Sequence, residues 1–372
     1  ERLHGRADPA RRWRHAALTL AMNTQTNMTG LDPNRLADWM DTKGLGSGPI
    51  ADVTRLAGGT QNLIFRFRRL DRDYVLRRPS LAPRPRAGET MMREARVLAA
   101  LAGSKVPHPA LVAKCEDDSI LGTAFYLMEP VTGFNAVNGM PEPHRSSPAL
   151  RRRMGLALVE GAAALAHIDY AAAGLEGFGR PENFLERQVS RWRDQLDSYT
   201  RLTGWPGPQS LQDVGPLSDY LATNIPPGYR PGILHGDYQL ANVMYRYDSP
   251  ELAAIVDWEL STIGDPLLDL AWIVATWRGY DPELPVLQVE PWDGFPTADE
   301  LIRHYADHSL RDMTCINWYV ALACFKLGII LEGTHARACA GKAARETGDR
   351  LHEAAVSLVQ RGLIWSKRPV WQ

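Results

Sequence analysis

Cysteine is scarce in this chain, and its spacing is uninformative: Cys115, Cys315, Cys324 and Cys339 form no C-x-x-C pair. That excludes a zinc ribbon and a thioredoxin-like redox motif, and it suits inert thiols in a reducing, cytoplasmic compartment. Charge of one sign is also missing. The formal net charge is -1 over 372 residues, so no global field draws the chain to nucleic acid or to an anionic membrane. No apolar run approaches the roughly 18 residues that span a bilayer. The most hydrophobic stretch, "WYVALACF", stops at Lys326 and reads as a core helix. Internal repeats and low-complexity tracts are absent as well.

What is present is ordinary globular composition, 45% hydrophobic and 23% charged, at a length suited to two lobes. Residues 1–30 are Arg-rich and then polar. No small-residue cleavage site follows their short apolar stretch, so they are expected to be a disordered leader. From about Val53, turn and strand signals alternate: "GGTQN", the strand "LIFRFRRL", the turn "DRD" and the strand "YVLRRP". "ETMMREARVLAAL" has helical spacing, and "FYLMEPVTG" is a short strand running into a connector. Residues 31–130 are therefore expected to form a small β-rich lobe with one helix. Residues 131–372 read as a larger, mainly helical lobe, with Pro/Gly-rich loops at "GWPGPQSLQDVGP" and "DPELPVLQVEPWDGFP". The fold class is α+β and bilobal, and a cleft between lobes is a favoured ligand site.

Within "LHGDYQLANVMY" an aspartate, Asp237, precedes an asparagine, Asn242, by five residues, and "IVDWE" supplies Asp257 further on. Two carboxylates and an amide oxygen are hard oxygen donors suited to Mg²⁺, which keeps waters and shares its shell with substrate phosphates. Phosphoryl transfer asks a protein mainly to position groups and to neutralise charge. Asp237 suits the acid beside an accepting hydroxyl, and Asn242 and Asp257 suit the metal.

"HGDYQLAN" resembles the H-x-D-x-x-x-x-N catalytic loop of protein kinases and, more closely, the HGD form of the aminoglycoside phosphotransferase family. "IVDWE" looks like the counterpart of the kinase D-F-G. The resemblance implies a protein-kinase-like fold, ATP and Mg²⁺ as cofactors, and a small-molecule hydroxyl as phosphoryl acceptor. It places ATP against Gly58, Gly59, Thr60, Gln61 and Asn62, where backbone N–H groups can approach phosphate. Val75 would roof the adenine. Arg77 would stand where kinases carry lysine, and would pair with Glu94. Met128 would line the base, with the backbones of Glu129 and Val131 bonded to it. His235, Asp265 and Asp269 are implied supports: an orienter of loop backbone, a loop brace and a helix-start cap. His167 reads as a packing residue.

"RRP", "FYLMEPVTG", "RQVSRW" and "IVDWELSTIGDPLLDLAW" look most like a branch often attached to, or encoded near, acyl-CoA dehydrogenases. No A-P-E segment follows, so protein-kinase regulation is not implied. Two acceptors stay open. A polycationic aminoglycoside would need converging acids, for which Asp299, Glu300, Glu346, Asp349 and Glu353 are candidates. A metabolite such as a hydroxyacyl thioester would suit an apolar or basic channel lined by residues such as Trp318, Tyr319 and Trp365. The alternative function is a catalytically weak nucleotide-binding module, supported by Arg77. Neither nucleic acid nor a membrane span is expected, and the oligomeric state is not legible.

Overall fold

The computed structural model describes residues 29–56, 62–83, 85–278 and 287–371. The chain divides into two compact units. The first runs to Ala95 and takes up Ala110–Pro130; the second holds Arg96–Pro109 and everything from Val131 onward. Residues 96–109 lie within the first of the expected segments but belong to the second unit. Those residues are tied to the second unit by specific bonds. Arg96 donates to the carbonyls of Gly174 (2.7 Å) and Glu176 (2.9 Å), and Ile255 N–H donates to Pro107 O at 2.8 Å.

In the first unit, β1 (Ile50–Arg55), β2 (Asn62–Arg69), β3 (Arg72–Pro79), β4 (Leu111–Cys115) and β5 (Phe125–Met128) form one antiparallel sheet, ordered β1-β2-β3-β5-β4. Alternation along β2 turns Leu63, Phe65 and Phe67 to one face. There they pack with Tyr74, Leu76, Phe125 and Leu127. Two helices join this core beyond the one expected. The first, α1 (Pro33–Thr42), has an unmistakable start: Pro33 is its first residue, and the Asp32 carboxylate accepts from Asn34 and Arg35 N–H. It buries Leu36, Trp39 and Met40, with Trp39 edge-on to Phe125 at 4.8 Å. The expected helix is α2 (Ala87–Leu101), and a one-turn α3 covers Asp118–Leu121. On the edge of the same core Arg78 reaches the carbonyls of Gly30 and Leu121.

The second unit carries α4 (Pro148–Ala166), α5 (Glu186–Ser198), α6 (Val214–Thr223), α7 (Leu267–Thr276), α8 (Ala298–Asp307), α9 (Ile316–Cys339) and α10 (Arg345–Ser366). Helix α6 begins just where a Pro/Gly-rich loop was expected, because Val214 and Gly215 open it before the apolar Leu217 and Leu221 bury. Helix α9 is long and apolar enough to cross a membrane, although the sequence showed no unbroken run of that kind. Here 83% of its apolar window is buried inside the protein, which makes it a core helix. Two short antiparallel ribbons complete the unit: β6 (Gly232–Leu234) with β9 (Thr262–Gly264), and β7 (Val243–Tyr245) with β8 (Leu252–Ile255).

Candidate active site

These ribbons explain why distant residues meet. In β7–β8, Val243 faces Ile255, and Val256 N–H donates to Asn242 O at 2.9 Å. Asn242 precedes one strand and Asp257 follows the other, so the hairpin returns the chain to the same end. Asp257 sits in the left-handed region, at φ 68°, where a non-glycine residue is uncommon.

Asp237 is held from several sides. Its Oδ1 accepts from Gln239 Nε2 and from the Trp272 indole N–H, both at 2.7 Å. Its Oδ2 accepts from Asn242 Nδ2 at 2.8 Å, and the same amide donates to Asp237 O at 2.8 Å. Both Asn242 amide hydrogens are therefore engaged, which leaves its oxygen as the atom suited to a cation. The hard oxygens of Asn242 and Asp257 fit Mg²⁺.

Buried side chains behind the loop fix its backbone. Asp269, in the first turn of α7, accepts N–H bonds from His235 (2.7 Å) and Gly236 (2.9 Å). Burial pushes its carboxyl up, against the pull of these backbone bonds and of Lys326. His235 contacts Val256 O through Nε2 (2.9 Å) and accepts Asp237 N–H on Nδ1 (3.3 Å), so it links the loop to the residue before Asp257 as a neutral Nε2–H tautomer. Gly236 has φ +87°, and a Cβ there would stand 2.5 Å from Leu260 O, so the middle residue of H-G-D must be glycine. Asp265 accepts Leu267 N–H at the start of α7 and the Tyr319 hydroxyl at 2.5 Å; burial raises its carboxyl too. His167 closes α4, its ring nitrogen 2.7 Å from Ala163 O.

In the first unit Arg77 and Glu94 do pair: Nε lies 2.8 Å from Oε2, both side chains are buried, and the Tyr126 hydroxyl donates to the same oxygen at 3.1 Å. Val75 lies opposite Met128 in the sheet, on the same face as Arg77. At Glu129 the N–H donates to Ala110 O at 2.9 Å, because β4 and β5 continue their pairing there. Only its carbonyl is left for a base. Val131 opens the second unit. Asn62 begins β2, and Gly58, Gly59, Thr60 and Gln61 lie outside the described residues.

Beside Gly236 opens a cavity of about 330 Å³. Its wall includes Trp192 from α5, Asp269 and Trp272 from α7, and Leu322 and Lys326 from α9. The residues named for such a channel from sequence are elsewhere. Trp318 and Tyr319 are buried with their polar atoms on Leu221 O and Asp265, and Trp365 is wholly buried. Trp318 and Tyr319 share α9 with the cavity wall but face the core, and Trp365 belongs to α10, which supplies none of that wall. Lys326 is what sequence reasoning missed. Its ammonium reaches Gly236 O (3.3 Å) and lies 4.3 Å over the Trp272 ring. Burial lowers it to about 8, against the pull of Asp237 and Asp269. A cation closing the run "WYVALACF" was the one available signal. The candidate acids do not converge here. Asp299 pairs with Arg368, Glu300 with Arg152 and Asp349 with Arg345, and none of the five lines the cavity.

A kinase-like sheet unit, a helical unit and an H-G-D loop braced on Asp269 define a phosphotransferase with a small-molecule alcohol group as acceptor. The chain belongs to the phosphotransferase enzyme family, whose model matches residues 52–306. It is similar to a candidate aminoglycoside phosphotransferase from Ralstonia eutropha, with a TM-score of 0.74, 30% identity, and coverage of 91% of this chain and 99% of that one. The aminoglycoside phosphotransferase APH(4)-Ia, solved with AMP-PNP and hygromycin B, shares the fold at a TM-score of 0.57 and 16% identity, over 86% of this chain and 98% of that one. Among curated proteins, acyl-CoA dehydrogenase family member 11 of Gallus gallus is 32% identical over 329 residues, 85% of this chain and 40% of that protein. Family member 10 of Mus musculus is 29% identical over 330 residues, 86% of this chain and 29% of that protein. The chain thus spans less than half the length of these curated relatives.

Proposed function

We propose that the chain moves the γ-phosphoryl group of ATP, with Mg²⁺, to a hydroxyl on a small acceptor with an apolar body, such as a hydroxyacyl thioester. The observation that carries this reading is Asp237, oriented by Gln239, Asn242 and Trp272, beside a cavity whose wall is aromatic, aliphatic and cationic. The acid in that wall, Asp269, has both oxygens on backbone N–H groups. An aminoglycoside would bring several ammonium groups to Lys326 and Arg191 rather than to carboxylates, which disfavours it. The acyl-CoA dehydrogenase names of the curated relatives favour the thioester.

In this reading Asp237 orients the acceptor hydroxyl and takes its proton as the bond to phosphorus forms. Asn242 and Asp257 would hold Mg²⁺, which when bound neutralises charge on the transferring phosphates. The "GGTQN" turn, Val75, Met128, the Glu129 carbonyl and Val131 would hold the nucleotide. Arg77, fixed by Glu94, would reach a phosphate. Four free thiols support a reducing, cytoplasmic setting.

Calorimetry of ATP binding with and without Mg²⁺, on wild type and Asp257→Ala, tests the site. Tighter binding with Mg²⁺ in wild type, lost in the variant, supports it. Absence of ATP binding by folded protein overturns it. Mg²⁺-independent binding with no ADP release would leave the nucleotide-binding module, the reading that Arg77 favours. ADP release with hydroxyacyl thioesters, set against hygromycin B and kanamycin, then tests the acceptor.

A further inference from the structure

The two longest helices carry a cluster of metal-type donors that phosphoryl transfer does not use. Glu332 and His335 stand three apart on α9 and so share a face. His352 and Asp349 meet them from α10. Glu332 is fully buried and His335 is 5% exposed. The ligand atoms of Glu332, His335 and His352 all lie within 4.8 Å of one another. His352 Nδ1 is 2.7 Å from Glu332 Oε2, and His335 Nδ1 is 3.4 Å from Asp349 Oδ1.

Three details point to a cation. Glu332 Oε1 is anchored by the Trp205 indole N–H (2.6 Å) and the Ser210 hydroxyl (3.2 Å), which directs Oε2 toward His352. His335 Nε2 lies 3.5 Å from Cys339 Sγ. With Nε2–H donating to that sulfur, Nδ1 carries the bare lone pair that a metal needs. That Nδ1 is buried and makes no hydrogen bond among the described residues, a costly state for a polar atom. Imidazole with carboxylate suits zinc, whereas Mg²⁺ and Ca²⁺ favour oxygen alone. Bonds of about 2.0–2.2 Å in a tetrahedron put ligand atoms roughly 3.3 Å apart. The His335–Asp349 pair already has that spacing, and the His352–Glu332 pair must open slightly.

We propose that Glu332, His335 and His352, joined by Asp349 once it leaves its pair with Arg345, form a closed, structural zinc site that staples α9 to α10. Binding displaces the proton between His352 Nδ1 and Glu332 Oε2 to solvent and leaves no open position for chemistry. The site is independent of the Mg²⁺ assignment.

The test uses the full chain, purified from zinc-supplemented cells and desalted into metal-free buffer. Mass-spectrometric metal analysis should find about one zinc per chain in wild type and in Asp257→Ala, and much less in His335→Gln and His352→Asn. After chelation, added zinc should raise Tm in the first two proteins but not in the others. Cobalt in its place should give the intense visible absorption of a tetrahedral centre. The wild-type measurements need no variant to fold. Folded wild type that holds no zinc, and whose Tm ignores added zinc, overturns the proposal. So does zinc retained equally by both histidine variants, or lost only in Asp257→Ala, which would place it at the phosphoryl-transfer loop.

Discussion

Between Leu234 and Asp257 one short stretch supplies Asp237, Gln239, Asn242 and Asp257, whereas the cavity that begins at Gly236 draws its wall from α5, α7 and α9. The first region is local, so its chemistry is written as a spacing. The second is assembled from helices far apart in sequence, and its character depends on which face of each helix packs inward. They join at Trp272, whose indole N–H holds Asp237 while its ring lies under the Lys326 ammonium. In the proposed reading, reaction type comes from the loop and acceptor choice from the wall.

The comparison breaks most sharply at Asp237. Asp237→Asn should lower turnover by about 10²–10⁴-fold while leaving ATP affinity unchanged, read by ADP release and calorimetry. Unchanged turnover would remove Asp237 from the chemistry. Asp257→Ala should abolish the Mg²⁺-dependent gain in ATP affinity, and calorimetry that still shows the gain would take the metal elsewhere.

Arg77→Ala leaves the buried Glu94 carboxylate without its guanidinium, so unfolding should cost about 3–5 kcal/mol less by urea denaturation. A change below about 1 kcal/mol would mean that the pair contributes little beyond a surface bridge.

Trp272→Phe keeps the ring under Lys326 but removes one hydrogen bond to Asp237. Turnover should fall by about tenfold, equivalent to about 1.4 kcal/mol, with little change in acceptor KM. A KM effect without a kcat effect would assign Trp272 to the wall alone.

A pH effect concerns Lys326, whose folded pKa of about 8 lies below the value of a free lysine. Below pH 8 both folded and unfolded states hold the proton. Between pH 8 and about 10.4 only the unfolded state does, so stability rises with pH there, by at most about 3 kcal/mol. Lys326→Met should flatten that rise in urea midpoints measured at pH 7.5, 9 and 10. A rise that persists in the variant would belong to another group.

Much of this was legible in the sequence. The loop motif and the strands β2, β3 and β5 rest on local spacing or on strand period, and the pair Arg77–Glu94 on the resemblance to kinases. Asp265 and Asp269 could be named as supports, but their expected roles are exchanged: with α7 laid against the loop, Asp269 is the brace and Asp265 the helix-start cap. Helix α1 escaped notice although Asp32-Pro33 is a strong start, because its neighbourhood was assigned to a leader and a lobe edge. Trp318, Tyr319 and Trp365 were misplaced because aromatic content does not tell which side of a helix faces a cavity.

By itself the sequence determined the class of chemistry, since phosphoryl transfer needs an acid, an amide and a second acid whose order along the chain survives in a motif. The tertiary structure alone decided what surrounds them. Lys326 and Trp272 meet at Gly236, and Glu332, His335, Asp349 and His352 meet between α9 and α10, through helix packing. Contacts between residues so far apart follow from which faces exclude water together, and no spacing along the chain records that.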